Sequence, residues 1–387
     1  MVTLQSAEDA LKTIYLGVVA NQLNVGANPL LTKIEQTTSD VWGNEIRKLA
    51  PYGLNGGVGA GTESGTLPTA FQNQYVKFVL ELKNLYGTIN ISDKAIRSSS
   101  HSAGAFVNLL NAEMEGLIKA SQFNFGRMLY GDGSGLLGTV SALSDSIITL
   151  DSVKNFMEGM VVDIINGSTT KLAKSRVVYV DRANKKVTLS NVTGYSYASG
   201  DKVYVQGSKD NEITGLGKIF SNSSTLYGVS KSDYPWMVPY TKTSVGDITD
   251  DVIQTAIDYM DEMSASQVDF IACSSDVKRL YQKYLSTYRR NIDVMDLQGG
   301  FKAITYNGIP IVSDRFVADG TMYLLNTKEF ALHQLCDWKW LEGEGGKIIK
   351  QEVGTPTYTA TLVKYADLIC DKPNGQACLT GIAESNS

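Results

Sequence analysis

Histidine occurs only twice in these 387 residues and cysteine four times. That scarcity removes most chemistry that depends on imidazole or thiolate before any motif is sought. Cys273, Cys336, Cys370 and Cys378 form no C-x-x-C pair, so burial as small apolar groups is expected rather than a zinc site. Cys370 and Cys378 flank a predicted turn and could face each other, but a reduced compartment is the default expectation. No run approaches the 18 or so apolar residues of a membrane span. Glu8 and Asp9 precede the first apolar stretch, the reverse of a secretory signal. A soluble intracellular product is therefore expected, with no membrane partner. Like charges never form a block of five, and 35 basic against 40 acidic residues leave a net charge of −5. Tight or sequence-specific nucleic-acid binding needs clustered Lys and Arg, so it is not expected.

Catalytic signatures are missing too. G-x-S-x-G, H-E-x-x-H and the EF-hand loop do not occur. His101 lies in a serine run and His333 in an apolar segment, both read as structural. Asp250/Asp251 and Glu342/Glu344 fall at a helix start and in a glycine loop, where solvation explains them. The residues 53–65 hold six glycines but lack the Gly-Lys-Ser/Thr ending of a phosphate loop, and read as a flexible loop. Gly133, Gly135 and Gly138 match G-x-G-x-x-G only formally, because they follow a helix rather than a strand. No enzyme activity, cofactor or metal is expected.

What is present is order. Hydrophobic residues make up 43% and charged ones 19%, enough for two or three cored units at about 150 residues each. Apolar spacing of three and four predicts a helix over 1–25, and sparse apolar positions then predict an extended arm up to Pro51. Tyr75, Lys77, Val79, Glu81 and Lys83 alternate with Val76, Phe78, Leu80 and Leu82, and the pattern resumes at Ile89 and Ile91 after Gly87. This predicts a two-stranded hairpin over 75–92, turning at 84–87, with one apolar face and no partner nearby; the alternative is that the ribbon is part of an ordinary sheet. A long helix is predicted over 102–130, capped by serine. From Thr139 to about 210, short β-patterned runs (160–165, 177–180, 187–189, 203–205) alternate with turn clusters, predicting a small barrel or sandwich inserted into the chain. Further on come an amphipathic helix from Asp250, a strand at 268–273, a helix from Ser274, an Asn307-Gly308 hairpin, a strand at 322–325, and an alternating stretch over 358–369 that turns at 372–375 and returns.

This series resembles the major capsid proteins of tailed bacteriophages, which share the Hong Kong 97 fold. The segments carrying the resemblance are 74–92 as extended loop, 102–130 as spine helix, and 130–138 as the loop after that helix. To these add 270–276, 306–312 and 358–369 as axial and peripheral segments. It covers most of the chain except about 140–210. It implies an α+β fold divided into an arm (1–55), extended loop (56–100), spine helix and start of the peripheral domain (101–139), inserted β-rich domain (140–214), peripheral segment (215–246), axial domain (247–345) and peripheral return (346–387). The implied function is a structural subunit forming the hexamers and pentamers of an icosahedral head around double-stranded DNA, assembled in the host bacterial cytoplasm and resident in the virion. Portal, scaffold and decoration proteins are the implied partners. With only a short arm before the loop, any scaffold would be a separate protein. Lys77, Lys83 and Lys94 lie near the hairpin, but spacing supports no Lys–Asn cross-link.

In such an architecture the hairpin and arm lie across neighbouring subunits. Tyr75, Val76, Phe78, Leu80, Leu82, Ile89 and Ile91 are then the expected intersubunit contacts. Gly56, Gly57, Gly59, Gly61, Gly131, Gly133 and Gly135 are the expected hinges between five-fold and six-fold bends. Alternatives are an encapsulin-like nanocompartment shell, distinguished by cargo enzyme, and an enzyme with an accessory β-domain, distinguished by turnover lost on mutating His333.

Overall fold

A computed structural model of the chain describes residues 28–53, 55–94, 103–288, 294–297, 301–343 and 346–383. The expected helix over 1–25 and the serine run with His101 lie outside the described residues. Among the described residues, five β assemblies and three long helices carry the fold.

The helix Ala103–Tyr130 has 28 residues, so it is about 42 Å long at 1.5 Å per residue. Its C-terminal third is buried nearly all round, with Phe123, Phe125, Met128, Leu129 and Tyr130 in the main core. It lies against a five-stranded sheet built on the strand Thr357–Cys370. That strand pairs antiparallel with Phe330–Trp340 on one side and with Lys83–Ser92 on the other. Gly87 sits in the middle of this last strand. A Cβ there would fall 2.9 Å from Leu117 Cδ1 and 3.2 Å from Ser121 Oγ, so glycine lets the helix approach. The turn expected at 84–87 is thus corrected: this glycine serves close packing, not chain reversal.

The expected hairpin over 75–92 is corrected with it. Gln74–Glu81 and Lys83–Ser92 both exist as strands, but they part at Leu82 and join different sheets. Gln74–Glu81 pairs instead with Glu45–Gly53, in register from Glu45↔Glu81 to Gly53↔Gln74. The two-stranded ribbon therefore starts in the segment read as an arm, and the glycine-rich residues form its tip. The arm reading is corrected likewise for the described part. Leu30 and Leu31 are buried, Glu35–Thr37 pairs parallel with Phe330–Trp340, and His333 Nδ1 lies 2.9 Å from the Ser39 carbonyl oxygen. Burial holds the His333 imidazole below the ordinary histidine range, consistent with a neutral structural ring.

Six strands between Leu136 and Val205 close into a barrel. The expected runs at 160–165, 187–189 and 203–205 are its strands, and 177–180 lies inside the long strand Thr169–Asp181. The strands Leu136–Ser144 and Ile147–Leu150 escaped the sequence reading. The barrel is tied to the body at the helix end. Arg127 Nη1 donates to Glu212 Oε2 at 2.9 Å, Arg127 Nη2 pairs with Glu212 Oε1, and both side chains are buried. Gly135 has φ +76°, and a Cβ on it would stand 2.5 Å from the Ser208 carbonyl oxygen. Of the expected hinges Gly131, Gly133 and Gly135, only Gly135 has neighbouring backbone close enough to exclude a Cβ.

The second core belongs to a seven-stranded sheet with helices Asp250–Ser264 and Ser275–Tyr288 packed on it. Thr249 caps the first helix, its Oγ1 accepting from Val252 N at 3.3 Å, with Asp250 and Asp251 in the first turn. Phe270–Cys273 and Met322–Leu325 are adjacent central strands, buried throughout as their apolar runs require. Asn307 (φ 48°) and Gly308 (φ 80°) form the expected hairpin turn. The C-terminal return is corrected: Ala377–Leu379 does not fold back on Thr357–Cys370 but enters this second sheet, between Tyr240–Lys242 and Met322–Leu325. Cys370 and Cys378 are consequently free, buried thiols in different sheets.

One buried carboxyl carries a pH signature. Asp367 Oδ1 accepts from Thr214 N at 2.6 Å and Leu368 N at 2.8 Å, and Oδ2 lies 3.1 Å from Thr214 Oγ1. Burial outweighs these bonds and pushes its pKa up to about 6. The folded state thus binds a proton that the unfolded chain, with a carboxyl near pKa 3.9, has already released. Its contribution to stability is full below about pH 4 and is lost as pH rises through 6. Asp367→Asn keeps the two N–H acceptances and offers an amide N–H to Thr214 Oγ1. The expected outcome is a variant whose urea-unfolding free energy lacks this slope between pH 4 and 6, a difference of up to about 3 kcal/mol.

Candidate assembly surface

The ribbon Glu45–Gly53/Gln74–Glu81 has two ends of opposite character. At its base, Ile46, Ala50, Val76 and Phe78 are buried in the main core. Phe78 packs on Tyr227 and Trp236, with ring centroids 5.2 and 6.1 Å apart, and Val79 N donates to the Tyr227 carbonyl at 3.1 Å. Lys48 Nζ reaches Asp371 Oδ2 at 2.7 Å, fixing the base to the end of the long strand. Beyond the base the chain leaves the body. From Asn55 to Tyr75 every residue is exposed except Gly57, which is half-buried.

That tip is not polar. Val58 is 88% exposed and Leu67 89%, with Phe71 and Tyr75 also open. Of the 19 exposed large hydrophobic residues among the described residues, eight (Trp42, Leu49, Tyr52, Val58, Leu67, Phe71, Tyr75 and Val79) fall within residues 42–79. A monomer gains nothing by holding apolar side chains away from its own core, so this concentration makes the tip the candidate contact surface. Glu63 is the one charged residue of the tip, which leaves backbone and apolar groups to make the contact.

No family model and no curated protein matches the sequence. Solved structures do match the fold. The capsid asymmetric unit of cyanophage A-1(L) superposes with a TM-score of 0.54 at 13% identity, covering 96% of this chain and 93% of that one. The chain has the Hong Kong 97-like capsid fold. The SrpI encapsulin of Synechococcus elongatus is also similar, with a TM-score of 0.48 at 10% identity over 95% of this chain and 96% of that one. At these identities the likeness is one of α+β fold alone.

Within that fold the expected contact residues separate. Tyr75 is exposed at the root of the tip. Leu80 and Leu82 are half-buried where the strands part. Phe78 is covered by the chain's own Tyr227 and Trp236, Val76 is buried in the same core, and Ile89 and Ile91 belong to the sheet under the long helix. For those four the contact role is corrected, because their side chains are already buried in the chain's own main core. Gly56, Gly57, Gly59 and Gly61 lie in the open tip, and a Cβ on Gly61 would meet nothing within 4 Å. Leu49, Val58, Leu67 and Phe71 were missed. Isolated apolar residues among glycines, threonines and charges carry no periodicity, so only their exposure distinguishes them. Among the described residues no cluster of three or more His, Cys, Asp or Glu is placed to hold a metal.

Proposed function

We propose that the chain is the structural subunit of an icosahedral phage head, assembled from hexamers and pentamers around double-stranded DNA. The open ribbon tip, apolar and self-supporting only at its base, carries this reading. Laid across a neighbouring copy, Val58, Leu67, Phe71 and Tyr75 would be covered, and a head-to-tail contact repeated round a ring closes it. Each such contact is weak, but a subunit held by several at once is locked in place. Gly56, Gly57, Gly59 and Gly61 would let one sequence adopt the bends of both ring types. The net charge of −5 suits a wall that must not grip packaged DNA. Portal, scaffold and decoration proteins would complete the head, in the virion and, before release, in the host cytoplasm. No catalytic role is proposed.

Expression of the full chain followed by sedimentation and negative-stain microscopy tests this. Closed shells of uniform size are expected, alone or with a co-expressed scaffold. A chain that stays monomeric at all concentrations, with its tip protected from proteolysis, would refute it. Shells that co-purify with a protein cargo and never take up DNA would favour the nanocompartment instead.

A further inference from the structure

We propose that the outer face of the barrel around Val178 and Tyr179 docks the acidic helix Asp250–Ser264 of a second copy of this chain. This rests on the shell reading above and concerns a contact separate from the ribbon tip.

The barrel face is made by a bulge. Lys186, Val187, Thr188 and Leu189 pair with Asp181, Val180, Tyr179 and Val177 in turn, so Val178 is the extra residue. In a regular strand one of two consecutive side chains would point inward. Here both Val178 (55% exposed) and Tyr179 (58%) point out, while Val177 and Val180 fill the barrel. Thr188 pairs with Tyr179 on one side and Ile147 on the other, which places the exposed Ile147 in the same row across three strands. An apolar patch is thus built on the outside of a barrel whose interior is already filled. Along the same strand Lys174 and Arg176 also face outward, and Lys185 and Lys186 are exposed on the adjoining turn and strand. Residues 136–210 hold nine Lys and Arg against seven Asp and Glu, a charge of +2, so the remaining residues carry −7.

The complement lies on the other core. Asp250–Ser264 buries Ile253, Ala256 and Met260 against its own sheet. Its outer face carries Asp251, Asp258, Asp261 and Glu262, and the helix has no Lys or Arg. Tyr259 and Met263, four residues apart and therefore neighbours on one face, are both exposed among these acids. Asp181 faces Lys186 and Asp145 stands near Ile147, so Lys174, Arg176 and Lys185 carry the basic side of the barrel row, which matches two apolar residues in an acidic rim. Barrel against barrel or helix against helix would set like charges together, so the pairing is between unlike faces of two copies, head to tail.

Charge reversal tests it. Lys174→Glu with Arg176→Glu, and separately Asp261→Lys with Glu262→Lys, should each lower shell yield at least tenfold while monomer melting temperature stays put. Combining all four should restore shells. Independently, Val178→Cys with Met263→Cys should give oxidised ladders of linked subunits from assembled particles. If the unmodified chain forms no shells, the shell reading fails and takes this contact with it. If it forms shells and either reversal does so at the same yield, only the contact is overturned. Reversals that block assembly without mutual rescue also overturn direct pairing. Normal shells that lose only packaged DNA in the barrel variant would assign the basic face to nucleic acid instead.

Discussion

Excising residues 55–73 and joining Gly53–Leu54 to Gln74 by a two-residue turn should leave a folded chain that makes no shells. Gly53 and Gln74 are paired across the ribbon, so a short turn can close the strands without moving the base. The excised residues contribute nothing to the main core. The melting temperature should stay within about 2–4 °C of the unmodified chain, the shift that ~1 kcal/mol produces in a unit of about 150–250 residues. Sedimentation should show only monomers or small rings. Shells of normal yield from this variant would remove the ribbon tip from assembly. Deleting 75–92 instead should give insoluble protein, because Phe78, Leu85, Ile89 and Ile91 belong to the core.

The second large effect is expected at the junction of helix and barrel. Arg127 and Glu212 are 3% and 2% exposed and hold each other by two bonds. Removing either partner strands a charge where water cannot reach it. Glu212→Ala or Arg127→Ala should therefore cost about 3–5 kcal/mol, measured by urea unfolding. Arg127→Met combined with Glu212→Leu removes both charges at similar volume and should recover most of that loss. A single variant that unfolds like the parent would show that the pair is hydrated in solution. The barrel itself should survive the single substitutions, since its six strands close on one another around buried Ile148, Phe156, Val162, Ile164 and Val203.

Local pattern was sufficient for much of this chain. The helix ending at Tyr130 follows from a long proline-free stripe, the barrel strands from short β-branched runs between turn clusters, and the Asn307-Gly308 turn from residues that tolerate positive φ. These signals act over a few residues, through backbone preference and one-sided burial, so they survive reading in one dimension. Alternation likewise marked 75–92 as extended with one apolar face. It could not say what covers that face. Period two is the same for a hairpin and for two strands that part company.

Partner choice is decided by contacts distant in sequence, and it was the tertiary structure that made those choices. Lys83–Ser92 pairs with Thr357–Cys370, and Phe78 meets Tyr227 and Trp236. Gly87 is the sharpest case. As a letter it suggests a turn, yet in place it is the gap that lets Leu117 and the long helix press against a strand. What the amino-acid order determined by itself was which stretches are helix, strand and turn, since each follows from the nearest neighbours. Which apolar faces remain uncovered was settled only when remote segments had taken their share of the burial.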